Sequence, residues 1–148
     1  GMEKSRVVVW PFDIDLPDDI LLEADKKKYS FALEDEVSDE ILRQAQEGYN
    51  HCFALMRSLR AKFQELNSNP KKIVLGNDGC RIFQILAVVD SFAYSSEIIV
   101  DIITKWAEER SDAAYDLFKI DVDFMFVEYD DESDLKELVD NGYFLSLI

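Results

Sequence analysis

The 148-residue chain carries 31 acidic against 16 basic residues, a formal net charge of −15, with 48% hydrophobic and 12% aromatic residues. That much apolar content builds a core and excludes a disordered chain, and the charge opposes binding to nucleic-acid backbones and anionic membranes. The longest apolar tract, "IFQILAVVDSFAY", is interrupted by Gln84 and Asp90, short of the about 20 apolar residues of a membrane span.

In chain order, Gly1 before Met2 reads as a residue left by tag removal, and "RVVVW" carries no leader-cleavage pattern. The first 34 residues read as strands. In "FDIDL", Phe12, Ile14 and Leu16 alternate with Asp13 and Asp15, the period of a half-buried strand. "KYSFALE" alternates again, and "ILLEADKKK" between them is read as a further strand with a polar turn, or as a short helix. A long helix is expected from about Asp39 to Leu66, capped by Ser38 and stopped by "NSNP". Along it Leu42, Tyr49, Met56 and Phe63 recur every seven residues, with Ala45, Cys52, Leu59 and Leu66 in the complementary register. That seam fits a helix lying on its own core, or a helix pair in a homodimer.

The "GNDG" turn between "KKIVL" and "RIFQIL" signals a hairpin, or a strand followed by a helix. A second, largely buried helical region is expected over about 86–109, with Ser95 or Ser96 as a break. In "KIDVDFMFVEY" Ile120, Val122, Phe124 and Phe126 share one face, with Met125 and Val127 on the other, which predicts a strand buried on both sides. A short helix over 131–141 and a final strand "YFLSLI" complete the chain. The expectation is one α+β domain over residues 2–148 with a mostly antiparallel mixed sheet.

The acids sit mainly at the two ends. Residues 1–40 hold twelve acids against five bases, 41–110 eight against nine, and 111–148 eleven against two. Five acids fall within the seven residues Glu128 to Asp134. Asp130 or Asp131 is placed to cap the last helix, with Glu132 and Asp134 favouring the positive end of its dipole. Asp13, Asp15, Asp130, Asp131, Glu132 and Asp134 are therefore the candidate partner-binding residues, on an acidic surface shared between 130–134 and 13–40. Arg57, Arg60, Lys62, Lys71 and Lys72 gather near the end of the long helix, without glycine or aromatic interleaving. They are expected to pair with the acids rather than with nucleic acid.

Two stretches resemble motifs of haloacid-dehalogenase-like phosphatases. "VVVWPFDIDLPDD" resembles the first, an apolar strand ending in Asp-x-Asp, and "FVEYDDESDLKELVDNGY" the last. The resemblance implies Asp13 as nucleophile, Asp15 as general acid, and magnesium held by Asp130, Asp131 or Asp134. The chain departs from that pattern at Pro17, where the family has Thr or Val, and at Gly76 and Asn77, where it has Ser or Thr.

Other chemistry lacks its residues. His51, the sole histidine, falls at an outward helix position beside Cys52, and adjacent helix positions diverge by about 100°. "GNDG" lacks the Lys-Ser/Thr of a phosphate loop. Cys52 and Cys80 have no metal spacing and read as reduced, packed thiols of a cytoplasmic protein. No cofactor is expected. The functional expectation is an acidic binding protein for a basic protein partner, of the immunity-protein, chaperone or nucleic-acid-mimic type. The alternatives are the magnesium-dependent phosphatase and a structural homodimer.

Overall fold

The computed structural model describes residues 13–24, 38–79 and 81–148. Among them, helix α1 (Asp39–Glu65) is the longest element. Ser38 caps it, its hydroxyl accepting from the Ile41 N–H at 3.2 Å, and Asp39 and Glu40 occupy the first turn. Asn67 ends it in the left-handed region at φ 59°. The Asn67 and Ser68 N–H groups then return to the carbonyls of Gln64 and Phe63, closing the last turn as a Schellman motif does. The seam residues Tyr49, Met56 and Phe63 are buried within the chain's own core, and Leu42 packs against it. The heptad stripe is the helix's inner face; a helix pair along 42–66 would have to use other side chains.

A five-stranded mixed sheet has the order β1 (Ile20–Leu22), β5 (Leu145–Leu147), β2 (Lys72–Asn77), β3 (Ile82–Val89), β4 (Asp121–Glu128). Every neighbouring pair is antiparallel except β3 and β4, which are parallel. The fold is therefore α+β with a mostly antiparallel mixed sheet. Between β3 and β4 the chain forms α2 (Ser91–Ser95) and α3 (Glu97–Phe118), each opened by a side-chain cap, Asp90 for α2 and Ser96 for α3. Between β4 and β5 it forms α4 (Glu132–Asp140).

These two crossovers run in opposite directions across the sheet. Since such connections are right-handed, their helices belong on opposite faces. That is the arrangement found. Phe83, Ile85, Ala87 and Val89 of β3 join α1 and α3 in one core, whereas Val74, Leu86 and Val88 join Leu135, Leu138 and Tyr143 under α4. β3 is buried on both sides between them.

The sequence expectations are corrected at several points. Residues 86–89 are the end of a central strand; the helix starts at 91, breaks at Ser96, and α3 then runs to Phe118. Only Ile99, Ile103, Ala107 and Ala114 of α3 are buried, one stripe rather than a buried cylinder. An apolar run such as "IFQILAVV" has no period by which to tell a doubly buried strand from a buried helix. Of "FDIDL", the described residues Asp13–Leu16 form no strand and lie outside the sheet, although Ile14 is buried. The strands expected at "RVVVW" and "KYSFALE" fall outside the described residues. β4 is buried on one face by Val122, Phe124 and Phe126, but Met125 on the other is 44% exposed, because α4 reaches only to Val127 and Tyr129. Cys52 is buried and its thiol pushed up by burial; Cys80 is outside the described residues.

Gly48 sets how closely α1 approaches the sheet. A Cβ there would lie 3.2 Å from the Phe83 ring and 3.6 Å from Ile120. Alanine's helix propensity advantage of about 1 kcal/mol is then set against a shift of Phe83. Valine has no such compensation. Gly48→Val should lower unfolding stability in urea by about 2 kcal/mol through overpacking; a variant as stable as wild type would show that the helix–sheet contact is loose.

Candidate acidic interface

The two predicted groups of acids are held by different parts of the fold. Asp15 is clasped by Gln46 of α1, whose side chain accepts from the Asp15 N–H at 2.8 Å and donates to its carbonyl at 3.0 Å. Close by on α1, Gly48 and Tyr49 pack on Phe83, near the amino end of β3. Asp130 to Asp134 follow the carboxyl end of β4, on the side where Phe126 meets Phe63 at 6.2 Å between ring centres. Seventeen residues of α1 separate Gln46 from Phe63, about 25 Å at 1.5 Å per residue. Asp13 and Asp15 thus stand near the opposite end of α1 from 130–134, apart from them within the acidic surface expected over 13–40 and 130–134. They do not converge as the phosphatase resemblance requires. Among the described residues no three His, Cys, Asp or Glu side chains are grouped to hold a metal ion.

At α4 the acids organise the helix start. The Asp134 carboxylate accepts from the Asp131 N–H at 3.1 Å, and the Asp134 N–H donates to the Asp131 carbonyl at 3.2 Å. Asp134 thus supplies the returning half of a capping box. Glu132 accepts from the Tyr129 hydroxyl at 3.4 Å. Burial, with the acids around it, raises the Tyr129 phenol above its ordinary value.

The basic residues near the end of α1 are largely engaged within the chain. Arg57 grips Asp19 with two bonds of 2.6 and 2.8 Å, and this pairing holds the Asp19 carboxyl below its usual range. Lys72 meets Glu23 at 2.7 Å, Lys62 meets Glu65 at 3.2 Å, and Arg60 donates to the Ile148 carbonyl at 2.7 Å. Lys71 lies 5.6 Å from the centre of the Tyr129 ring.

A third set of acids escaped the sequence reading. Asp112 and Asp116 of α3 and Asp121 and Asp123 of β4 line one open groove of about 490 Å³ together with Ser111 and Tyr115. None of the ion pairs among the described residues involves these four carboxylates. The signal was present as spacing. Asp112 and Asp116 are four apart on a helix and Asp121 and Asp123 two apart on a strand, so each pair shares a face. Only the packing of α3 beside β4 brings the two pairs together.

His51 also differs from its expectation. It lies against Phe118, ring centres 4.6 Å apart, with Nε2 buried and without a hydrogen-bond partner. Burial lowers its pKa. Glu47, four residues before His51 on α1, pairs with Arg43 at 3.1 Å.

Two predictions test this electrostatic picture. Asp134→Ala should destabilise the chain by about 1 kcal/mol, and Asp134→Asn, which still accepts at the cap, by a few tenths; equal losses in thermal unfolding would assign the effect to charge alone. Asp19 has a lowered folded pKa, so its contribution is complete above its unfolded value of 3.8 and vanishes as pH falls through the folded one. Asp19→Asn should cost at most about 1 kcal/mol near neutrality, as for partly exposed ion pairs. The gap to wild type should close below about pH 4. A gap that persists in acid would point to lost packing instead.

Comparison with protein-family models, curated proteins and solved structures gives no match to this chain.

Proposed function

We propose that the protein is a cytoplasmic binding protein whose acidic face, formed by α3, β4 and the start of α4, engages a basic protein partner. The observation that carries this reading is the unequal pairing of charge. Arg43, Arg57, Lys62 and Lys72 meet carboxylates within the chain. Asp112, Asp116, Asp121 and Asp123 line one groove and form no ion pair among the described residues; Lys119 lies instead over the ring of Tyr115, which lines the same groove, at 5.1 Å. Like charges held side by side repel one another and lower stability unless an opposite charge is brought to them. A partner rich in Lys and Arg supplies it, and the field of the face speeds their encounter. Asp130, Glu132 and Asp134 extend the face beyond the far end of β4; Asp13 and Asp15 stay in the proposal only as a separate acidic patch beside α1. The roles that fit this chemistry are neutralising a basic toxin, chaperoning a basic client, or mimicking a nucleic acid.

No helix among the described residues is long and apolar enough to cross a membrane. Cys52 is a free, buried thiol, in keeping with a reducing compartment.

The test is kinetic. Partners captured on the immobilised chain should be basic, and their association should slow steeply with added salt. Changing Asp112, Asp116, Asp121 and Asp123 to Asn together should reduce the association rate about tenfold at low salt while leaving the unfolding midpoint unchanged or raised. Capture of partners without a basic surface, or rates indifferent to salt and to the four substitutions, would overturn the reading.

A further inference from the structure

We propose that the outer edge of β4 accepts a basic, extended segment of the partner as an added strand of the sheet. This rests on the reading of the acidic face above and adds to it the mode of binding and the pattern of the bound segment.

The edge is long and its hydrogen-bonding groups are turned outward. β4 has eight residues and ends the sheet among the described residues, whereas β1 at the opposite edge has three. The Asp121 N–H donates to the Arg81 carbonyl and the Tyr129 N–H to the Val89 carbonyl, both toward β3. In a parallel ladder alternate residues face the neighbouring strand. The odd-numbered backbone of β4 therefore faces β3, and Val122, Phe124, Phe126 and Glu128 present N–H and C=O to the open side. The Val122 carbonyl accepts from the Ser111 hydroxyl at 2.6 Å, which closes that end. Among the described residues the backbone groups of Phe124 and Phe126 have no partner on the open side. Such a row is a template for strand addition. Proline and a bulge, which commonly blunt edges, are missing from "DVDFMFVE", and the charges that guard it, Asp121, Asp123 and Glu128, are all acidic.

Charge selects the occupant. From Glu97 to Asp134 there are thirteen acids against three bases, net −10. Asp121 and Asp123 stand at one end of the edge and Glu128 and Asp130 at the other. A second copy of this chain on the same edge would set acids against acids, and like charges facing across strands are destabilising. A strand bearing Lys or Arg gains what a second copy loses.

The groove between α3 and β4 sets the pattern. It measures about 570 Å³ and is lined by Thr104, Ala107, Ser111, Phe124 and Phe126, together with the acids Glu108, Asp112 and Asp123. An added strand turns every second side chain toward this groove and the others toward the face that carries the exposed Met125, with Asp121 and Asp123 along the edge within reach of basic side chains. The segment that fits alternates apolar and basic residues.

The probe is an eight-residue peptide alternating lysine and valine, titrated at low salt into the isotope-labelled full chain. The Phe124, Phe126 and Glu128 amides should shift and exchange more slowly with solvent. The same peptide N-methylated along its whole backbone keeps its charge but cannot donate. It should bind about tenfold more weakly or worse, the loss of one or two net hydrogen bonds. Equal, salt-dependent binding of both peptides, or shifts that avoid β4, would overturn strand addition while leaving the acidic-face reading standing. Binding of neither, or equal binding of a glutamate–valine peptide, would overturn both.

Discussion

The fold depends on covering β3 on both faces. Phe83, Ile85, Ala87 and Val89 point one way, and Leu86 and Val88 the other, all nearly free of solvent. A strand of this kind cannot sit at an edge or under a single layer without returning apolar surface to water, at roughly 25 cal/mol for each Å² exposed. The chain meets this requirement with two crossovers in opposite directions, α3 to one face and α4 to the other. The long helix α1 completes the first layer with Tyr49, Phe53, Met56, Leu59 and Phe63.

That solution decides which surfaces stay open. The α1 and α3 layer is thick, and α1 spends its whole heptad stripe on it. The α4 layer is a single nine-residue helix that covers the middle of the sheet and leaves Met125 half exposed. Because the β4 strand is reached by the first crossover and left by the second, it ends the described sheet on the side away from β2. A long edge with α3 beside it is a consequence of the topology, and it is on this edge that the unpaired acids stand.

Charge follows a similar division. Where helix and loop residues come together over the body of the domain, acids and bases pair, as in Arg57 with Asp19 and Lys72 with Glu23. Along α3 and β4 Arg110 meets only Glu109, at 3.8 Å, and Asp112, Asp116, Asp121 and Asp123 form no ion pair among the described residues, so the resulting field is a property of the arrangement rather than of any one residue. The acids of 130–134 serve locally as well: Asp134 holds the first turn of α4 in place, so one segment contributes both to the helix that covers β3 and to the negative face.

Much of this was legible in the amino-acid sequence because it is local. The start of α1 at Ser38, its stop at Asn67, the break at Ser96, the alternation of Val122, Phe124 and Phe126, and the capping acids before α4 all depend on neighbours within a few residues. The inward stripe of α1 was equally clear as a pattern, but the pattern is the same whether the stripe meets another chain or the chain's own sheet. Tertiary structure decided the rest. "IFQILAVV" became a strand because it had two layers to lie between, which no period within eight residues records. Asp13 and Asp15 were separated from 130–134 by the length of α1, although both groups lie near strands of one sheet. The joining of Asp112 and Asp116 with Asp121 and Asp123 came only from the packing of α3 against β4, since each pair by itself is an ordinary solvated face.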